Sequence, residues 1–515
     1  MSKSDVTIAA LDIGTNSFHL VVAKPVETGF EVITTEKEVI RLGQGTGEMK
    51  QLEPDAIDRG IACLKRMREI AQTHDAKLRA VATSAVREAQ NRNEFIKRAR
   101  KEAGVEIEIV SGIEEARLIH LGVLHAIGIG DQPMLLCDIG GGSTEIVLAA
   151  GEDILLSRSF KLGAVRLSNR FFRTDALHPS AISSCRKFVQ SMLVTIQPEI
   201  EELGFEVAVG SSGTVEAIAK LIQQSNKEPE PKSFNRYEFT AADVTKMLDL
   251  LADAPTIKQR EKAFNLEPSR ADIILAGAVI LEGIALSFGV KTFIYSDYAL
   301  REGVLFDTLQ RQDLLDHPDG IDPAMHSVQQ LADRCDDRPE HSANVARLAL
   351  SLFESLQKKL KLDVSCRRYL EAAALLANVG VVVSHSKHHL HSYYVIRNSE
   401  LVGLTDREIE LIAQIARYHR KGVPKPTHGE FAQLNDADQH IVRSLSGLLR
   451  IAIGLDRTQD GRVKKVSVRS EDEQLLIYVK ASAKTDLELN LYAANERRGL
   501  LSDLLATKIK ILAQE

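Results

Sequence analysis

The stretch Asp12-Ile13-Gly14-Thr15-Asn16-Ser17 returns, altered, as Asp138-Ile139-Gly140-Gly141-Gly142-Ser143-Thr144-Glu145. Each copy follows an apolar run, Ile8–Leu11 and Met134–Cys137, and leads into another, Phe18–Val22 and Ile146–Ala149. Strand, tight glycine turn, strand is the pattern of a β-hairpin. A glycine turn lets backbone N–H groups converge on an anion, and the hydroxyls of Thr15, Ser17, Ser143 and Thr144 add donors. The carboxylates of Asp12, Asp138 and Glu145 repel phosphate, which a divalent metal placed between them reconciles. One Asp-x-Gly turn is ordinary backbone chemistry. A second copy with three consecutive glycines, two hydroxyls and a terminal acid exceeds what a turn requires. Two such hairpins predict two similar lobes gripping one phosphorylated ligand.

At 515 residues the chain is too long for one core. Its 44% hydrophobic and 26% charged content is that of an ordinary globular protein. The net charge of −6 gives no global attraction to polyanions, nucleic acid included, so a polyanionic substrate needs a locally basic face. Five cysteines (Cys63, Cys137, Cys185, Cys335, Cys366) are scattered without metal-ligand spacing, which predicts reduced thiols and a cytoplasmic protein. The N-terminal residues predict no signal peptide, and no stretch of the sequence has the length expected of a membrane span.

Around the hairpins the chain reads as a duplicated α/β fold. Lobe I is expected over residues 1–127 and lobe II over 128–308, each with a hairpin, a third strand, helices and further strands. The segment Gly210-Ser211-Ser212-Gly213-Thr214 reads as a second glycine loop between a strand and a helix. Asp313–Pro323 has linker composition. Helical patterns dominate 309–460, and 461–515 reads as a small α/β piece with strands at Val463–Val468 and Gln474–Val479 and a closing helix at Gly499–Leu512.

A Walker loop or a dinucleotide fingerprint would place a helix directly after the hairpin glycines, and neither pattern is present there. Further segments narrow the match: Ala82-Thr83-Ser84-Ala85-Val86-Arg87, Ser111-Gly112-Ile113-Glu114-Glu115-Ala116-Arg117 and Gly210–Thr214. In this order, with the two hairpins, they resemble the exopolyphosphatase/guanosine pentaphosphate phosphatase family. That family lies within the actin-like, sugar-kinase-like superfamily, with two ribonuclease-H-like lobes. The resemblance implies Glu115 as general base and Arg87 as a phosphate partner. It implies Asp138 and Glu145 as organisers of magnesium or another divalent cation, with Asp12 contributing. Gly14, Thr15, Asn16 and Ser17, and Gly140, Gly141, Gly142 and Ser143, would cradle phosphate. Gly210, Ser211, Ser212, Gly213 and Thr214 would hold a further phosphate or a nucleoside. Activation by a monovalent cation is part of the same expectation. The chemistry is coherent without the family: anhydride hydrolysis needs in-line water, neutralised equatorial oxygens and a stabilised leaving oxygen.

In the tail, His341-Ser342-Ala343-Asn344, the run Ala373–Gly380 and Asp456 resemble the metal motifs of the HD phosphohydrolase domain. The central His-Asp pair is replaced by Ala377-Asn378, which cannot bridge metals, so this second site is expected to be inactive. Basic and imidazole side chains cluster nearby, Lys387, His388, His389 and Arg397, then Arg417, His419, Arg420 and Lys421. They suggest a polyanion track, ahead of plain surface or a metal site.

The expected activity is hydrolysis of terminal phosphoanhydride bonds of inorganic polyphosphate. Guanosine pentaphosphate hydrolysis to the tetraphosphate is the alternative. A non-catalytic polyphosphate or alarmone sensor and a phosphotransferase are remoter. A homodimer whose helical domains extend a basic channel is the expected assembly.

Overall fold

Both glycine hairpins form in the computed structural model, which describes residues 6–26, 29–43, 50–172, 177–229, 231, 233–312, 323–399, 401, 403–471, 474–481 and 486–514. Strand β1 (Ile8–Ile13) pairs antiparallel with β2 (Ser17–Val26), setting Ile13 opposite Phe18 and Asp12 opposite His19. The Gly14 N–H donates to the Ser17 carbonyl at 3.2 Å and closes the turn. With β3 (Gly29–Val39), β4 (Lys77–Ala82) and β5 (Ile107–Ile109) the first sheet has the order β3-β2-β1-β4-β5.

The second lobe repeats this plan. Strands β6 (Pro133–Ile139) and β7 (Thr144–Ala150) set Asp138 opposite Glu145, and the Gly140 N–H donates to the Ser143 carbonyl at 3.0 Å. With β8 (Asp153–Phe160), β9 (Val207–Ser211), β10 (Glu238–Thr240) and β11 (Thr292–Tyr295) the sheet runs β10-β11-β9-β6-β7-β8. Apart from β10, the order and the parallel and antiparallel senses match the first sheet. The three-residue β10 has too few residues to show a period in sequence.

Both sheets bury one face on a shared apolar layer. That layer includes Ile8, Ala10 and Val81 of the first sheet, Leu136, Val147 and Val209 of the second, and Leu118 and Val304 from two helices. These are the Gly112–Ile127 and Leu300–Arg311 helices. They cross through glycine: a Cβ at Gly303 would overlap the Leu118 carbonyl oxygen, and one at Gly122 would meet that of Ala299 at 2.5 Å. A buried ion-pair network ties the same helices to the first sheet. Asp307 accepts from Arg117 at 2.5 Å, Arg79 at 2.6 Å and Arg311 at 2.7 Å, while Arg117 also holds Glu114 at 2.7 Å. Burial opposes the charge on Asp307, but the three guanidinium groups hold its carboxyl well below the usual range.

The chain divides into two compact units, Met1–Gly320 and Ile321–Glu515. Most of the expected linker, 313–322, lies outside the described residues. In the second unit the helical part and the strands β12 (Val463–Glu471), β13 (Gln474–Ala481) and β14 (Lys508–Ala513) share one core, with Leu352, Leu445, Val466, Ile477 and Ile509 among its members. The closing helix expected over Gly499–Leu512 is corrected. It stops at Leu505, Ala506 turns left-handed at φ 47, and the chain continues as β14, parallel to β13. The alternation Lys508-Ile509-Lys510-Ile511, with the isoleucines buried and the lysines exposed, is strand periodicity that overrides the helical run before it.

Candidate active site

Strand register lines up the polar side chains in two rows, one per lobe. Across β1, β2 and β3 the row is Asp12, His19, Lys37. Across β9, β6, β7 and β8 it is Ser211, Asp138, Glu145, Ser159. The second row is hydrogen-bonded: the Ser211 hydroxyl donates to Asp138 Oδ2 at 2.6 Å and Ser159 to Glu145 Oε1 at 2.7 Å. A cleft of about 560 Å³ is lined from both lobes by Asp12, Gly14–Ser17, Glu115, Asp138 and Gly140–Ser143, among others.

Four carboxyl groups crowd one place. Glu115, Asp138 and Glu145 are 6%, 7% and 1% exposed. Burial, then the charges of Glu115 and Asp138, push Asp12 up to about 8 against the pull of Arg301. Burial, reinforced by Glu115 and opposed by the Ser211 hydroxyl, pushes Asp138 up to about 7. Glu145 is driven well above the carboxylate range by burial, then by Glu115 and Asp138. Like charges directly opposite on neighbouring strands repel. Asp12 Oδ1 and Glu145 Oε2 are buried without a hydrogen-bond partner. An all-oxygen set of this kind suits a hard divalent cation. No three ligating side chains among the described residues converge enough to hold one alone, so phosphate oxygens and water would complete its shell, as magnesium prefers.

Glu115 stands in the first turn of the Gly112–Ile127 helix, capped by Ser111, whose hydroxyl accepts from the Glu114 N–H at 3.1 Å. Arg87 Nη1 donates to Glu115 Oε2 at 2.7 Å and to the Val110 carbonyl at 3.0 Å. Burial raises Glu115 above its ordinary value, with Arg87 opposing. Arg87, expected to meet phosphate, thus first meets the carboxylate.

The triple-glycine turn is held by its carbonyls. Gly140 O accepts from the Ala164 N–H at 2.9 Å, and Gly141 O from the N–H groups of Val165 at 2.9 Å and Arg166 at 3.1 Å. Gly142 O accepts from Arg166 Nε at 2.7 Å. In trans peptides each N–H points opposite to the preceding carbonyl, so the amides of Gly141, Gly142 and Ser143 turn away from the Ala164–Phe171 helix. Gly163 must be glycine, since a Cβ there would overlap the Gly141 carbonyl.

The expected loop Gly210–Thr214 is corrected: no loop intervenes. Gly210 and Ser211 are the last residues of β9, and the Ser212–Ser225 helix starts at once, with Ser212 at φ 90 making the bend. Gly210 is small because a Cβ would meet Val215 Cγ1 at 2.8 Å. Ser212, Gly213 and Thr214 line the cleft; Ser211 lies behind it, bound to Asp138.

Three cations on the cleft wall, Lys37, Arg270 and Arg301, were not singled out from the sequence. A Cβ at Gly213 would lie 3.0 Å from Arg270 Nη2 and 3.7 Å from Lys37 Nζ. Burial, then the Arg270 charge, lowers the Lys37 amine, and burial lowers Arg270. Burial, then Lys37, Arg301 and Arg270, pulls His19 down to about 3, leaving it neutral. Counting outward from the first turn would have found His19 and Lys37, which share the Asp12 row. Arg270 and Arg301 carry no local signal.

In the second unit His341 Nδ1 and Asp456 Oδ2 lie 2.7 Å apart, both buried, and Ala377 is buried as an apolar residue. The eight residues of the expected polyanion track differ in their surroundings. Arg397 pairs with Asp406 at 3.0 Å and Glu410 at 2.8 Å, and Arg417 with Glu430 at 2.9 Å. His388 and His419 are buried with their Nε2 atoms 3.2 Å apart, and burial, then His388 and Arg420, lowers His389 and His419 alike. Lys387, Arg420 and Lys421 remain exposed.

All five cysteines are free thiols, and no helix among the described residues is long and apolar enough to cross a membrane. The model of the Ppx/GppA phosphatase family matches residues 21–312, and that of Ppx/GppA phosphatase, domain III, matches 325–503. Among solved structures the chain is similar to an exopolyphosphatase from Cytophaga hutchinsonii ATCC 33406. That match is 29% identical over 60% of this chain and 99% of the other, with a TM-score of 0.56. A Ppx/GppA family member from Aquifex aeolicus is 28% identical over 60% of this chain and 99% of its own, with a TM-score of 0.52. With one family model covering more than half its length, the chain belongs to the Ppx/GppA phosphatase family, built on a two-lobed actin-like fold followed by a domain III.

Proposed function

We propose that this phosphatase is an exopolyphosphatase, releasing orthophosphate from the end of inorganic polyphosphate. The observation that carries the choice of substrate is the cleft lining. It offers the cations Lys37, Arg270 and Arg301 to successive phosphates, while Tyr295 is the one tyrosine, phenylalanine or tryptophan among the described lining residues. A polyphosphate needs charge; a nucleobase needs an aromatic face or a shaped apolar slot.

In the proposed reaction the amides of Gly141, Gly142 and Ser143 and the Gly14–Ser17 turn hold the terminal phosphate oxygens. Glu115, its basicity raised by burial and its orientation fixed by Arg87, takes the proton of the attacking water. The water oxygen bonds to phosphorus as the anhydride bond breaks, and the bridging oxygen leaves with the shortened chain. Asp138, Glu145 and Asp12 would hold a divalent cation, which supplies charge neutralisation on the phosphate oxygens when bound. Lys37, Arg270 and Arg301 retain the remaining polyanion.

The test is phosphate release from long-chain polyphosphate and from guanosine pentaphosphate, with magnesium present, by the wild type and Glu115→Gln. Loss of the base is expected to cost about 10²- to 10⁴-fold in kcat. Preference for the nucleotide would replace the substrate assignment. An undiminished Glu115→Gln variant would remove Glu115 from the chemistry.

A further inference from the structure

Arg166 and Glu88 do not line the cleft, yet they join its two working parts. Arg166 is on the Ala164–Phe171 helix of the second lobe and Glu88 ends the Ser84–Glu88 helix of the first. Two nitrogens of the Arg166 fork reach to different elements: Nε donates to the Gly142 carbonyl at 2.7 Å, and Nη2 to Glu88 Oε1 at 2.7 Å. The other Glu88 oxygen, Oε2, faces Lys161 Nζ at 3.0 Å, and the Ser84 hydroxyl lies 3.3 Å from Oε1. Arg87, the neighbour of Glu88 on the same short helix, grips Glu115.

We propose that Arg166 and Glu88 are positioning residues, a clamp between the lobes that sets the phosphate-holding amide of Ser143 at a fixed distance and angle from the Glu115 carboxylate. The inference rests on the assignment of Glu115 as base. Three carbonyls of the glycine turn face the same helix, and backbone N–H groups hold the first two. The third, Gly142 O, is held by a side chain, so the direction of the Ser143 N–H depends on Arg166. A guanidinium is planar and its donors are fixed relative to one another. Holding Gly142 O with one nitrogen therefore dictates where Glu88 sits, and through that helix where Arg87 sits. A lysine carries all its donors on one nitrogen and cannot set two nitrogens at a fixed spacing, one on the carbonyl and one on the carboxylate. Misplacing a reacting pair by about 1 Å costs about 10²-fold in rate, and it acts on the transition state rather than on binding of the remote chain.

The experiment compares kcat, KM and Tm of Arg166→Met, Arg166→Lys, Glu88→Gln and the Arg166→Met/Glu88→Gln double variant, with Glu115→Gln as reference. The substrate is polyphosphate, or guanosine pentaphosphate if that is what the wild type hydrolyses. Each single variant is expected to lose about 10- to 100-fold in kcat with KM within about threefold. The double variant should be no slower than the worse single, because both break one clamp. Arg166→Lys should regain the Tm lost in Arg166→Met without regaining kcat. A kcat within about twofold of wild type in Arg166→Lys or Glu88→Gln, or multiplicative losses in the double variant, would overturn the clamp. If Arg166→Met does not fold, the lysine and glutamine variants decide. An active Glu115→Gln enzyme is a separate failure, of the base assignment.

Discussion

At the scale of single residues, the cleft combines carboxylates that sit beside hairpin turns with cations carried in from distant segments. Asp12, Asp138 and Glu145 flank their own hairpin turns, so strand register alone puts Asp138 beside Glu145. Glu115 could be picked only from its surrounding motif, because an isolated helix glutamate is ordinarily solvated; its burial and its bond to Arg87 come from tertiary packing. Arg270 reaches the cleft from a four-residue helix far along the chain. Its role is nevertheless sharply testable. Arg270→Ala is expected to raise KM for polyphosphate about tenfold, the worth of one charge-assisted phosphate contact, and to flatten the dependence of KM on ionic strength. An unchanged KM and salt slope in steady-state assays would take Arg270 out of the substrate path.

At the scale of elements, the strand-turn-strand pattern carried the first halves of both sheets, since apolar alternation and glycine punctuation are local signals. Two elements misled. The Leu500, Leu501, Leu504, Leu505 spacing is helical, and nothing in it announces that Ala506 will reverse hand and hand over to a strand. The Gly210–Thr214 segment has loop composition, but β9 needs Gly210 and Ser211 to reach Asp138. The element pair closest to the site is the crossing of the Gly112–Ile127 and Leu300–Arg311 helices, which fixes the Glu115-bearing turn between the sheets. Its electrostatic centre is Asp307. Asp307→Asn removes the countercharge from Arg79, Arg117 and Arg311 and is expected to destabilise the Met1–Gly320 unit by about 3–5 kcal/mol. Chemical denaturation of the full chain measures this, and a loss below about 1 kcal/mol would mean that the guanidinium groups find water or other carboxylates instead.

At the scale of the whole molecule, composition predicted more than one core but not how the tail is organised: helices and the three-stranded sheet of the second unit pack on one apolar core. Nor does a count of basic residues distinguish an exposed charge from a paired one, as Arg397 and Arg417, each facing a carboxylate, illustrate. The buried histidines there have a different consequence. Burial, then the neighbouring His388, His389 and Arg420, lowers His419 to about 3, while an unfolded histidine titrates near 6.5. Below about pH 6.5 the unfolded chain takes up a proton that the folded unit refuses. Stability is therefore fully present above that pH and falls on acidification, by about 1.4 kcal/mol per pH unit for each such histidine. Thermal unfolding of the full chain between about pH 7 and pH 5 should show the transition of the Ile321–Glu515 unit moving down, and His419→Gln should reduce the slope. A transition that does not move with pH would mean these imidazoles protonate in place. The glycine contact between the two central helices reaches further, into heredity. Every single-base change of a glycine codon that is not synonymous gives a larger residue or a stop, so no single-base amino-acid replacement at Gly303 leaves room for the Leu118 carbonyl oxygen. A gene encoding this protein has no neutral amino-acid neighbour at that codon, and random mutagenesis under selection for activity should return only synonymous changes there.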